Sequence, residues 1–141
     1  MKLIVINGPN LNMLGKRESS LYGSLSLDEL NEFIEQSKKN TTEIDFFQSN
    51  SESLLIEKIH SLESQNLDGI IINAGAFTHT SVALRDALLI AKTPFIEVHI
   101  SNVYTREDFR KKSFLADVAQ GVVTGLGKYS YLAALNYFEN R

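Results

Sequence analysis

At 141 residues the chain fits a single domain, taken as residues 1–141, and a chain of this length buries roughly two thirds of its unfolded surface, enough for one sizeable core. It has no cysteine, which excludes disulfides and thiol-ligated metal and fits a reducing cytoplasm. With 14 Lys and Arg against 17 Asp and Glu there is no basic field for nucleic acid, no apolar run approaches the ~20 residues of a membrane span, and Leu3–Ile6 is too short for a secretory signal, so a soluble cytoplasmic protein is expected.

The hydrophobic period switches between strand and helix about every fifteen residues, with no linker, repeat or low-complexity tract. Leu3 to Ile6 reads as strand one and opens onto Asn7-Gly8-Pro9-Asn10-Leu11-Asn12, the start of a long loop. Ser26-Leu27-Asp28-Glu29 is a capping box, and Leu27, Leu30, Phe33 and Ile34 form one helix stripe ending near Asn40. Ile44 to Phe47 predicts strand two, and Leu55, Ile56, Ile59 and Leu62 the stripe of a second helix, with His60 on its solvated side. Gly69 to Asn73 predicts strand three, apolar throughout as in a strand covered on both faces, and opens onto Ala74-Gly75-Ala76-Phe77-Thr78-His79-Thr80-Ser81. A third helix starts near Thr80 or Ser81 and buries Leu84, Ala87, Leu88 and Ala91. Pro94 permits only the beginning of strand four, Phe95 to Val98, which runs into His99-Ile100-Ser101-Asn102. The box Thr105-Arg106-Glu107-Asp108 predicts a short helix, Gly121 to Thr124 strand five, and Tyr131, Leu132, Leu135 and Phe138 the final helix.

Five β/α units imply an α/β fold, a flavodoxin-like doubly wound five-stranded parallel sheet of order 2-1-3-4-5, with strands one and three flanking the switch point. The three polar bursts then meet at the carboxyl edge of the sheet. Their asparagines, histidines, serines and glycines suit an uncharged small-molecule site more than a phosphate cradle. Gly8-Pro9-Asn10 is neither a dinucleotide fingerprint nor a P-loop, Gly125-Leu126-Gly127-Lys128 lacks the spacing, and Asn73 stands where a phospho-receiver needs aspartate. Glu97, His99 and His79 come from two strands with no ligand motif, so no metal is expected.

Glu97 and His99 lie two apart on strand four and project from one face, where a carboxylate is seldom buried unless paired. A carboxylate beside an imidazole orients it and favours the protonated ring, the form that acts as a general acid. In the first long loop Arg17 and Tyr22 lie between Gly15 and Gly23, two hinge points for a lid over the strand ends. A guanidinium beside a phenol favours the phenolate, which would suit Tyr22 to act as a base, but a loop tyrosine is more often a partly buried aromatic and the spacing alone does not decide between the two.

The segments Asn7-Gly8-Pro9-Asn10-Leu11-Asn12-Met13-Leu14-Gly15-Lys16-Arg17-Glu18 with Tyr22-Gly23, Asn73 to Asp86, and Ile96-Glu97-Val98-His99-Ile100-Ser101-Asn102-Val103-Tyr104 closely resemble type II 3-dehydroquinate dehydratase, and the likeness continues to the last helix. The resemblance implies loss of water from 3-dehydroquinate to give 3-dehydroshikimate, an anti elimination through an enolate, with no metal or organic cofactor. It implies the shikimate pathway of aromatic amino acid biosynthesis, or the same step in quinate catabolism. By resemblance Tyr22 removes a C2 proton, Arg17 keeps it ionised, Asn10 holds the water that stabilises the oxyanion, and His99, oriented by Glu97, protonates the departing C1 hydroxyl. Asn73 lies beside that hydroxyl, the amides of Ile100 and Ser101 with the Ser101 hydroxyl receive the carboxylate, His79 and Arg110 bind ring hydroxyls, and Arg106 belongs to the closing lid region. The resemblance also implies a homo-oligomer of trimers assembling into a dodecamer, with Asp86 reaching a neighbour's active site.

Four positions depart from the family pattern: Ser19 where proline is common, Ser53 where glycine is, and Lys112 and Phe114 where histidine and tyrosine are frequent. Loss of the lid proline raises the entropy of the open loop by about 0.4–1 kcal/mol. The competing readings are a non-catalytic flavodoxin-like binding module, which lacks its phosphate loop or receiver aspartate here, and a hydro-lyase or isomerase for another polyhydroxylated carboxylate.

Overall fold

The computed structural model describes residues 1–141. Strands β1 (Lys2–Asn7), β2 (Glu43–Gln48), β3 (Gly69–Asn73), β4 (Phe95–His99) and β5 (Gly121–Thr124) form one parallel sheet in the order 2-1-3-4-5, as the alternation of elements predicts. Helices α1 (Ser19–Tyr22) and α2 (Leu27–Ser37) lie between β1 and β2, and α3 (Glu52–Ser61), α4 (Val82–Ala91) and α5 (Tyr129–Asn140) follow β2, β3 and β5.

Alternation along the strands divides the apolar residues between two cores. Leu3, Val5, Ile71, Ile96 and Val98 pack under α2 and α5, while Ile4, Ile6, Ile70, Ile72 and Phe95 pack under α3 and α4. Coverage of both faces is why the central strands carry unbroken apolar runs, and each fully buried Ile contributes about 1.5–3 kcal/mol by leaving water. Serine hydroxyls start three helices: Ser26 accepts from the Glu29 amide at 3.1 Å, Ser51 from Leu54 at 3.3 Å and Ser81 from Leu84 at 2.9 Å.

Three expectations need correction. The helix expected to run to Asn40 stops at Ser37, whose hydroxyl bonds back to the Phe33 carbonyl, while the Lys39 amide is taken by Glu139 of α5 at 2.8 Å. The loop after β1 holds a 3₁₀ turn over Leu11–Met13 and the single-turn helix α1. At Thr105 no α-helix begins: the Thr105 hydroxyl donates back to the Asn102 carbonyl at 2.8 Å, Arg106 is extended, and two 3₁₀ turns, Val103–Thr105 and Asp108–Arg110, occupy the segment.

The exits of β1 and β3 are drawn together at the switch point. A Cβ on Gly8 would stand 2.4 Å from the Ala74 carbonyl oxygen, so only glycine allows that approach. The Gly8 amide donates to the Asn73 carbonyl at 2.8 Å, joining the two polar loops where a ligand crevice is expected.

Candidate active site

A cleft opens at the carboxyl ends of β1, β3 and β4, lined by Asn10, Tyr22, Asn73, His79, His99 and Arg106 among others, where open parallel sheets bind small molecules. All the site residues predicted from sequence line it except Glu97, which stands behind His99, and Asp86, which is exposed on α4. Another cleft, lined by Lys2, Glu43, Asp45 and Gln65 at the other end of the sheet, carries no comparable constellation of acid, base and hydroxyl binders.

The first loop delivers the phenol. Gly15 and Gly23 both have positive φ, +90° and +73°, and bracket the lid that carries Arg17 and Tyr22. Tyr22 Oη accepts from Arg17 at 2.8 Å and from Arg106 at 2.6 Å, and the Arg17 guanidinium also lies over the Tyr22 ring, 3.7 Å from its centroid. Two cations on one oxygen stabilise negative charge there. Arg106 also donates to the Ser101 hydroxyl at 3.2 Å. Its extended backbone, the feature that displaced the predicted helix, lets it span both groups.

From β4 come the acid candidates. Glu97 is 1% and His99 6% exposed, and burial this deep for a carboxylate demands partners. Glu97 Oε1 lies 3.4 Å from His99 Nε2 and accepts from the Ser113 hydroxyl at 2.5 Å. The His79 and His99 rings lie nearly parallel, 18° apart, with centroids separated by 6.2 Å. His79 Nδ1 stands 2.7 Å from the Lys112 carbonyl, which can only accept, so Nδ1 carries the proton and Nε2 of the neutral ring is an acceptor. Burial lowers the pKa of His79 below its ordinary value, opposed by the Lys112 hydrogen bond and reinforced by His99 and Arg110, so the neutral ring is favoured. No group of His, Cys, Asp or Glu side chains is arranged to hold a metal ion.

The asparagines are positioned by the opposite core. Asn73 Nδ2 donates to Tyr131 Oη at 2.9 Å, Tyr131 donates to Asn7 Oδ1 at 2.6 Å, and Asn73 Oδ1 accepts from the Gly75 amide at 3.2 Å. Tyr131 is fully buried, which pushes its pKa well up and keeps it a neutral donor. In the sequence Tyr131 reads only as packing in the final helix, because its partners Asn73 and Asn7 lie on distant strands. Asn10 is left-handed at φ 68° and is held by its amide on Asn50 Oδ1 at 3.0 Å. Ser113 carried no signal in the sequence, because its partner Glu97 lies on another element.

The profile described as "Dehydroquinase class II" matches residues 1–139. A 3-dehydroquinate dehydratase of Thermotoga neapolitana is 53% identical over 138 residues, covering 97% of this chain and 93% of its own length. One of Actinobacillus pleuropneumoniae is 56% identical over 137 residues, covering 96% of this chain and 88% of its own. The crystal structure of a type II dehydroquinase from Butyrivibrio crossotus superposes with a TM-score of 0.94 at 44% identity, over 99% of this chain and 98% of that one. With its whole length matched in sequence and in fold, this chain belongs to the class II dehydroquinase family.

Proposed function

We propose that this protein eliminates water from 3-dehydroquinate to give 3-dehydroshikimate, as a hydro-lyase working through an enolate. The observation that carries the reading is a tyrosine oxygen held by Arg17 and Arg106 in the same cleft as a histidine backed by a buried carboxylate. Relatives more than half identical bear the name of this activity.

Tyr22, ionised under its two guanidiniums, takes the C2 proton, and the electron pair moves onto the C3 carbonyl oxygen. Asn10 holds the water that stabilises this oxyanion, a preorganised contribution of the kind that dominates enolate chemistry. As the enolate collapses, the C1–O bond breaks and His99 delivers its proton to the departing hydroxyl, which leaves as water. Tyr22 ends protonated and His99 neutral, so one proton passing between them through solvent resets the site. The substrate carboxylate sits at the Ile100 and Ser101 amides and the Ser101 hydroxyl, with Asn73 beside the C1 hydroxyl. His79 Nε2 accepts from a ring hydroxyl and Arg110 donates to another.

The elimination is anti. Trimers assemble into a dodecamer, within which Asp86 serves a neighbouring cleft; its exposure away from its own cleft supports that role. The step belongs to aromatic amino acid biosynthesis, and an aromatic requirement in a strain lacking the protein separates this from quinate catabolism. The purified protein should convert 3-dehydroquinate to a conjugated, ultraviolet-absorbing enone without added metal, unaffected by chelator or borohydride. Chelator-sensitive turnover, or a trapped lysine adduct, would overturn the mechanism.

A further inference from the structure

Resting on the reading that the Glu97–His99 pair supplies the acid, we propose that Ser113 is a positioning residue of that pair, its hydroxyl fixing the carboxylate in the orientation that serves the imidazole. Ser113 Oγ lies 2.5 Å from Glu97 Oε1, the same oxygen that stands 3.4 Å from His99 Nε2. That hydroxyl also accepts from the Leu115 and Ala116 amides, each at 3.0 Å. A serine hydroxyl has one proton and two lone pairs. Amide N–H groups can only donate, so with both lone pairs filled the proton points to Glu97. The direction of the bond is thus set by the backbone, and Glu97 Oε1 is the acceptor.

The segment that carries Ser113 is itself anchored. The Phe114 amide donates to the Thr78 carbonyl at 2.9 Å, and Arg85 donates to the Phe114 carbonyl at 2.9 Å while pairing through both guanidinium arms with Asp117. One residue before Ser113, the Lys112 carbonyl holds His79. Consecutive residues of one anchored segment therefore set the two stacked rings of the cleft, one through a carbonyl and the other through a carboxylate.

A serine that served only as a cap for the turn after it would make the same bonds to Leu115 and Ala116, and kinetics separate the two roles. Ser113→Ala should lower kcat by about 10-fold or more, toward the ~10²-fold that a 1 Å misplacement costs, while KM stays within about twofold. Ser113→Thr, which keeps the hydroxyl, should restore kcat. In a Glu97→Gln background Ser113→Ala should cause no further loss, because its effect passes through that carboxylate. Equal losses in both backgrounds, a change in KM alone, or an unaltered kcat would overturn the proposal. Should Ser113→Ala fail to fold, Ser113→Cys keeps the shape but offers only the weak donor of a thiol; it should lose kcat too, and wild-type kcat in it would be contrary. The imidazole NMR signals of His99 give a readout independent of turnover: they should move in Ser113→Ala while those of the distant, exposed His60 do not. Unmoved His99 signals would refute the positioning role. Failure of the unmodified protein to turn over 3-dehydroquinate would instead defeat the functional reading.

Discussion

Replacing Tyr131 with phenylalanine removes one oxygen and leaves the ring in the core. That oxygen accepts from Asn73 and donates to Asn7, whose side chains are 4% and 1% exposed. Without it, Asn7 Oδ1 and Asn73 Nδ2 stay buried and lose this partner. Each such orphan costs about 1–3 kcal/mol. Because Asn73 keeps its Gly75 bond and can tilt, the pair should cost about 2–4 kcal/mol, a large share of a typical ~5–15 kcal/mol total. In urea unfolding at fixed protein concentration, with a slope of about 2 kcal/mol per molar, the midpoint should fall by about 1–2 M with the slope unchanged. A midpoint within about 0.2 M of the wild type, equivalent to no more than ~0.5 kcal/mol, would show that the bridge does not hold the strand ends, and the argument for buried polar pairing here would fail.

Arg17→Gln and Arg106→Gln each remove a cation from the Tyr22 oxygen, and each should lower kcat by about 10²-fold in steady-state assays, as the loss of one preorganised donor does elsewhere. Asp86→Asn should leave the assembly intact by sedimentation, with a mass of three or twelve chains, yet sharply reduce activity; a solvated helix aspartate would instead shift stability by no more than about 0.5 kcal/mol and spare turnover. The folded-state pKa of His79 lies below its unfolded value near 6.5, so the folded protein binds fewer protons; the stability it contributes is present above pH ~6.5 and is lost as pH falls through the folded value. His79→Gln should therefore flatten the decline in urea midpoint between about pH 7.5 and 5.5, and an identical decline would contradict the burial of a neutral ring.

The strands, their order and the main helices were legible because period and caps agreed: Gly69–Asn73 and Gly121–Thr124 fall where the sequence placed them, and Ser26 caps as its box implies. The Thr105 box misled because its local pattern competes with a tertiary demand, the reach of Arg106 to Tyr22 and Ser101. Pairing at a strand end marked Glu97 and His99 and the family resemblance marked Tyr22 and Arg17, whereas Ser113 and Tyr131 act through partners distant in sequence and gave no local pattern. Two departures from the family pattern are explained by the backbone: at Lys112 and Phe114 the peptide groups make the bonds to His79, Thr78 and Arg85, and the Lys112 side chain lies over the Phe114 ring. Ser53 contacts Ser51 at 3.0 Å, and Ser19 opens the lid helix α1.

Single-turnover and steady-state rates of 3-dehydroquinate dehydration by Tyr22→Phe and His99→Ala, beside substrate binding by the same variants, test the central claim most directly. Each variant should lose about 10²–10⁴-fold in kcat while still binding substrate, because each lacks a proton-transfer group. A Tyr22→Phe protein with near-normal kcat would contradict the account.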